Sequence, residues 1–260
     1  MEKQAVQKIN EIRSSLPQGV ELVAVSKYHP AEVIQAIYEG SRQRIFAESH
    51  AQELQQKHEA LPKDIQWHFI GHLQRNKVKY IVPYISLIHS VDSPRLLTEI
   101  NKQAVATGRR VDCLLQLHVA QEETKFGFTP QECLDYLASG EWKQMTGIRI
   151  RGMMCMASNV NDEEQIASEF RLALQTFNQA RQTFFQDNAD FSIRSWGMSH
   201  DYPIALRCGS NMVEPPSLAP ENTDEASCLP FGGQDYPIWH ENCTILEIEC
   251  KFHAFFLAGA

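Results

Sequence analysis

The sequence predicts an α/β chain folded as a closed (β/α)8 barrel. Three observations carry that reading. Short apolar runs alternate with segments of helical period along residues 1–213, eight such runs can be counted, and 260 residues leave room for one barrel and little besides. Val6, Ile9, Ile12 and Leu16 recur at helical spacing and give an amphipathic opening helix. Leu22-Val23-Ala24-Val25-Ser26 is a continuous apolar run that reads as a buried strand. Pro30 opens the next helix, Val33, Ile34 and Ile37 line one face of it, and Gly40 stops it. The same pattern places strands at 44–47, 66–70, 86–89, 112–119, 148–154, 192–197 and 210–213. It places helices at 49–60, 73–82, 93–107, 130–138, 162–186 and 201–208. The strands are continuous rather than alternating, as in a parallel sheet buried on both faces. An open doubly wound sheet is the alternative, but it would announce a glycine-rich turn after its first strand. Here that strand runs into Ser26-Lys27-Tyr28-His29-Pro30, with no glycine.

Composition narrows the function classes. Apolar residues make up 43% and charged residues 22%, ordinary for a globular chain. No run approaches the ~18 apolar residues of a membrane span, and MEKQAVQKINEIR lacks the apolar core of a secretion signal. A cytoplasmic protein with its seven cysteines reduced is expected, since none is spaced C-x-x-C. The net charge of -8 is uneven. Residues 1–213 carry a net of -1, whereas residues 214–260 hold eight acids against Lys251 alone, together with five of the twelve prolines. A boundary is therefore expected at 213, between the barrel and an acidic, proline-rich tail. Neither part is basic enough to suggest a nucleic-acid partner. Within the tail, 244–257 could form a strand.

In a barrel of this kind chemistry sits at the C-terminal ends of the strands. Lys27 closes the first strand, half in an apolar wall. Partial desolvation there would lower its pKa, as an imine-forming lysine needs; the plain alternative is a lysine snorkelling into water. Ser195-Trp196-Gly197-Met198-Ser199 ends the seventh strand and leads into a helix at about His200-Asp201. Its amides and hydroxyls could cradle an anion, or Ser199 could simply cap the helix. A reactive lysine and a phosphate cradle in one barrel suggest an aldehyde bearing a phosphate. Pyridoxal phosphate fits, and so does the substrate of a lysine-imine aldolase. His68 and His72 have ligand-like spacing without an obvious third ligand. Met153, Met154 and Met156 read as packing of the barrel interior, and Glu122-Glu123 as solvated loop charges.

The motifs follow one another in a distinctive order: VAVSK at 23–27, WHFIGHLQRNK at 67–77, LIHSVDS at 87–93, EETKFGF at 122–128, RGMMCMA at 151–157 and SWGMSHDYPIAL at 195–206. Over residues 1 to about 213 the chain resembles the YggS/PROSC family of pyridoxal phosphate homeostasis proteins. The resemblance implies a TIM barrel of the alanine racemase N-terminal type, with pyridoxal 5'-phosphate held as a Schiff base on Lys27. It implies cofactor contacts from Ser49, His72, Met154, Ser195, Gly197, Met198 and Ser199, with no catalytic residue and no metal ligand. The expected role is vitamin B6 homeostasis by a monomer that is not an enzyme. Its partners would be the cofactor and the pyridoxal phosphate-dependent apoenzymes that receive it, with no nucleic acid and no membrane. A small racemase- or lyase-like barrel enzyme using the same lysine imine is the alternative, and a barrel unable to bind is a third reading.

Two departures from the family stand out. Its F-G-E-N-Y after the second strand is Phe46-Ala47-Glu48-Ser49-His50 here. Its R-I-G followed by Ser or Thr after the eighth strand, which supplies an arginine near the pyridine ring and contacts to the phosphate, is replaced after Val213 by Glu214-Pro215-Pro216. Prolines cannot extend a buried central strand. The tail is therefore expected to disrupt or replace the end of the eighth strand, to weaken cofactor binding, and to place negative charge where a phosphate should sit.

Overall fold

The computed structural model describes residues 2–121 and 126–215. Glu122-Glu123, the segment 244–257 and the rest of the tail from residue 216 lie outside the described residues. The chain divides into compact units Met1–Glu221 and Asn222–Ala260, and the described residues all belong to the first. The elements run α1 Glu2–Ser15, β1 Glu21–Leu22, β2 Ala24–Val25, α2 Ala31–Gly40, β3 Ile45–Glu48, α3 Ala51–Ala60, β4 Gln66–Phe69, α4 Val78–Ile81 and β5 Leu87–Val91. They continue with α5 Pro94–Ala106, β6 Val111–His118, α6 Pro130–Ser139, β7 Ile148–Met156, α7 Glu163–Phe184, β8 Ile193–Ser195, α8 Tyr202–Arg207 and β9 Met212–Val213.

All strand pairs are parallel, in the order β1-β9-β8-β7-β6-β5-β4-β3-β2. β1 and β2 are two halves of one strand, joined through Val23, whose N–H donates to Val213 O at 3.0 Å. One half pairs with β9 and the other with β3. The sheet therefore closes on itself as the expected barrel. Among the described residues no helix is long and apolar enough to cross a membrane.

Local chemistry explains the boundaries. Ser93 caps α5 by accepting from the Leu96 N–H, with Pro94 in the first turn. α6 has a full capping box between Thr129 and Glu132, and Gly140 ends it in the left-handed region at φ 72°. Asp162 accepts from the amides of Glu164 and Gln165 at the head of α7. The helix expected at 73–82 is shorter, a 3-10 turn Arg75–Lys77 followed by the single turn of α4. Gln74 makes no side-chain cap there, and Pro83 restricts Val82 just beyond the turn. A further 3-10 turn at Glu141–Gln144 has no counterpart in the sequence-based expectation.

Two apolar layers result. The large one lies between barrel and helices and includes Ile34, Phe46, Trp67, Phe69, Ile88, Phe170 and Phe177. The small one fills the lumen with Val23, Ala47, Leu87, Leu114, Met154 and Met212, against which Ile45, Ile70, Met156 and Ile193 pack. Met153 was expected in the interior with its neighbours but packs in the outer layer. Alternate residues of a strand face opposite sides, so Met153 and Met154 cannot share one. β9 is two residues long, the Glu214 N–H still donates to Gly197 O at 2.9 Å, and Pro215 has no N–H to continue.

Candidate functional site

Side-chain parity turns the lumen from apolar to polar toward the C-terminal ends of the strands. Two positions beyond a lumen residue stand Ser49 after Ala47, His89 after Leu87, Gln116 after Leu114, Ser195 after Ile193 and Glu214 after Met212, and Lys27 follows the end of β2. The open end of the barrel is thus ringed by groups that can bind a polar ligand. Lys27 is expected half in an apolar wall; it is instead exposed, in the turn just past the end of β2. Among the described residues its ammonium has no hydrogen-bond or ion-pair partner.

The ring has a buried centre. His89 Nε2 lies 2.9 Å from His68 Nδ1, and His89 Nδ1 lies 3.0 Å from both Ser195 Oγ and Glu214 Oε1. Ser195 Oγ donates to Glu214 Oε1 at 3.2 Å. Burial, with His89 alongside, holds the His68 imidazole well below its usual pKa, so it is neutral. A carboxylate accepts only, so the His89 proton belongs on Nδ1, facing Glu214 and Ser195. The contact between His89 Nε2 and His68 Nδ1 continues the chain. The chain His68, His89, Glu214 with Ser195 as side branch is satisfied at every link.

The remaining expected residues surround this centre unevenly. Met154 is buried in the lumen beneath it. Gly197, at φ 105°, turns the backbone where a Cβ would stand 2.6 Å from Ala205 Cβ and 2.9 Å from Tyr202 Cα, so no larger residue fits. The Met198 N–H, expected to face an anion, donates to Asp201 Oδ1 at 2.6 Å, and Ser199 is exposed. α8 begins at Tyr202, with the Asp201 carboxylate at its head. Ser49 is half-buried under Gly71, at which a Cβ would come within 2.2 Å of Ser49 O. His72 sits on the rim, stacked on Phe126 at 4.1 Å, with Nδ1 3.1 Å from Asp92 Oδ2. His68 and His72 are thus split between lumen and rim. Among the described residues no group of three or more His, Cys, Asp or Glu could hold a metal ion.

Sequence reasoning missed His89 altogether and met Glu214 only as a departure from pattern. The parity of LIHSVDS, which puts Leu87 and His89 on one face, was the available signal for the first.

Comparison with known proteins bears on what this ring serves. The family model of the alanine racemase N-terminal domain matches residues 3–216. The pyridoxal phosphate homeostasis protein of Helicobacter pylori is 35% identical over 196 residues, covering 75% of this chain and 84% of that protein. That of Schizosaccharomyces pombe is 33% identical over 210 residues, covering 78% and 86%. PipY of Synechococcus elongatus, 31% identical, superposes with a TM-score of 0.76 without pyridoxal phosphate and 0.72 with it bound, over 81% of this chain and 97% of that one. An alanine racemase of Clostridium difficile shares the fold at 15% identity and a TM-score of 0.61, and only 55% of its length is matched. The chain therefore belongs to the YggS/PROSC family of pyridoxal phosphate homeostasis proteins, within the wider alanine racemase N-terminal domain family.

Proposed function

We propose that this chain binds pyridoxal 5'-phosphate through Lys27 and holds it for release, serving cofactor homeostasis rather than catalysis. The observation that carries the reading is the place of Lys27: exposed, just past a strand end at the open end of a closed barrel, with the Ser195 hydroxyl two strands away. The cofactor supplies an aldehyde for a lysine and a phosphate for hydrogen-bond donors. The neutral Lys27 amine would add to the aldehyde carbon, a proton passes from nitrogen to oxygen, and water leaves as the C=N bond forms. Ser195 offers the phosphate an O–H, and Gly197 fixes the turn beyond it. Glu214 weighs against tight phosphate binding. A lysine reachable from solvent lets an incoming amine add in turn and free Lys27, as delivery to an apoenzyme requires. The racemase of the same fold carries nearly half its length beyond the matched barrel. We place the protein in the cytoplasm as a monomer, with the barrel of residues 1–213 as its binding domain.

One observation favours a second reading. The His89–Glu214 pair joins a buried imidazole to a partly exposed carboxylate, an acid–base couple of the kind a lysine-imine enzyme uses. A single set of assays separates the two. Titration with pyridoxal phosphate should raise the visible imine band in the parent protein and not in Lys27→Ala; a full band in Lys27→Ala would overturn the assignment. Amino-acid racemisation or decarboxylation should be absent, and steady turnover lost in Lys27→Ala would favour the enzyme.

A further inference from the structure

We infer that Lys57, with Glu48 and Glu53, is a positioning residue for Lys27: the three clamp the two peptide units that flank that lysine. The inference rests on the reading that Lys27 carries the cofactor.

Ser26-Lys27-Tyr28-His29 form a turn closed by the His29 N–H donating to Ser26 O at 3.1 Å. Its third residue, Tyr28, has φ 65°, alone among the described residues other than glycine in being left-handed. Turns with positive φ at that place take glycine or asparagine, and a bulky residue there is strained. Strain of this kind persists only where the surroundings over-determine it. The Tyr28 ring is 75% exposed and tilted 5.7 Å from His50.

The backbone is held from outside the turn. Lys57 Nζ donates to Ser26 O at 2.7 Å, fixing the peptide before Lys27. The Tyr28 N–H donates to Glu53 Oε1 at 2.8 Å, fixing the peptide after it. Both φ and ψ of Lys27 are therefore set from outside the turn. The holder is itself stiff. Lys57 spends its other two protons on Glu48 Oε1 at 2.7 Å and Glu53 Oε1 at 2.6 Å, so all three are used. Glu48 is wholly buried on β3 and also accepts from Ser26 Oγ at 2.6 Å. Lys57 and Glu53 are one turn apart on α3, which anchors the strand end to the helix. Desolvation makes a buried ion cluster a poor source of net stability. What this one does is geometric: it aims the strand end that bears Lys27.

The test compares two ligands. Pyridoxine 5'-phosphate has the ring and the phosphate but an alcohol in place of the aldehyde, so it occupies the site without linking to Lys27. Affinities for both, and the rate of imine formation, are measured for the parent, Lys57→Met and Glu53→Ala. The second variant removes the oxygen shared by the Tyr28 N–H and one Lys57 proton but keeps the Lys57–Glu48 pair and the Lys57–Ser26 hydrogen bond, so it serves if Lys57→Met does not fold. Pyridoxal phosphate affinity and imine rate should fall on the order of tenfold, while pyridoxine phosphate changes by less than about twofold. Equal losses for both ligands would show a merely structural cluster and overturn the inference, as would no loss for either. Borohydride labelling of the parent keeps the two readings apart. If Lys27 is not labelled, the functional reading fails and the inference falls with it. If Lys27 is labelled and the variants keep the parent's ratio of affinities, the clamp alone fails.

Discussion

Replacing Glu214 by Gln should tighten the binding of pyridoxal phosphate, and the structure sets the scale. Glu214 Oε1 stands 3.2 Å from Ser195 Oγ and 3.0 Å from His89 Nδ1, so the carboxylate already occupies the donors an anion would seek. A phosphate oxygen accepting from the same hydroxyl would lie about 2.7 Å beyond it, leaving two negative groups about 5 Å apart. At an effective dielectric of about 20, one pair of unit charges at that distance repels by roughly 3 kcal/mol. Glu214 is 14% exposed and can turn partly toward water, which trims the penalty. Gln keeps an acceptor for Ser195 and His89 without the charge. We expect the affinity for pyridoxal phosphate to rise roughly tenfold to a hundredfold, about 1.4 to 2.8 kcal/mol. Pyridoxal, which lacks the phosphate, should change by less than about threefold. Equilibrium titration of the imine band with each ligand, alongside urea unfolding of both proteins, checks it. An unchanged or weaker affinity for pyridoxal phosphate at equal stability would refute the reasoning, and so would an equal gain for both ligands.

Two further outcomes follow from single positions. His68 is held well below the usual 6.5 by burial, so the unfolded chain takes up its proton first. Stability from this group is therefore present above about pH 6.5 and lost as pH falls below it, with a slope of up to about 1.4 kcal/mol per pH unit. Urea unfolding from about pH 7 to pH 5 should show that slope in the parent and a shallower one in His68→Gln, and identical slopes would contradict it. Gly152→Ala places a Cβ 1.8 Å from Ile193 O, so the seam between β7 and β8 must open. We expect a loss of at least about 3 kcal/mol or failure to fold; a neutral result by urea unfolding would mean that the two strands are not so close.

Much of the barrel was legible because its strands are continuous apolar runs and its helices carry their own punctuation. Ser93 with Pro94, Thr129 with Pro130 and Glu132, Asp162 and Gly140 each mark an end through a hydrogen bond local in sequence. The apolar run before Lys27 put it at the end of the first strand, at the barrel mouth. Its exposure was not legible, since what covers a strand end depends on loops from other strands. His89 was missed because its partners are remote: Ser195 lies 106 residues away, and nothing in LIHSVDS announces it. Lys57 was hidden differently. AQELQQKHEA reads as a solvated helix face, and only the buried Glu48 on β3 makes one of its charges an interior group. The charge of Glu214 was visible, but its insertion among the lumen donors follows from the parity of β9.

The central claim is that Lys27 carries the cofactor. Its most direct measurement is borohydride reduction of the protein loaded with pyridoxal phosphate, followed by peptide mapping. A single mass increment of one reduced pyridoxyl phosphate on the peptide containing Lys27, absent from Lys27→Ala, is the result predicted here. No increment, or one on another lysine with Lys27 unmodified, would contradict it.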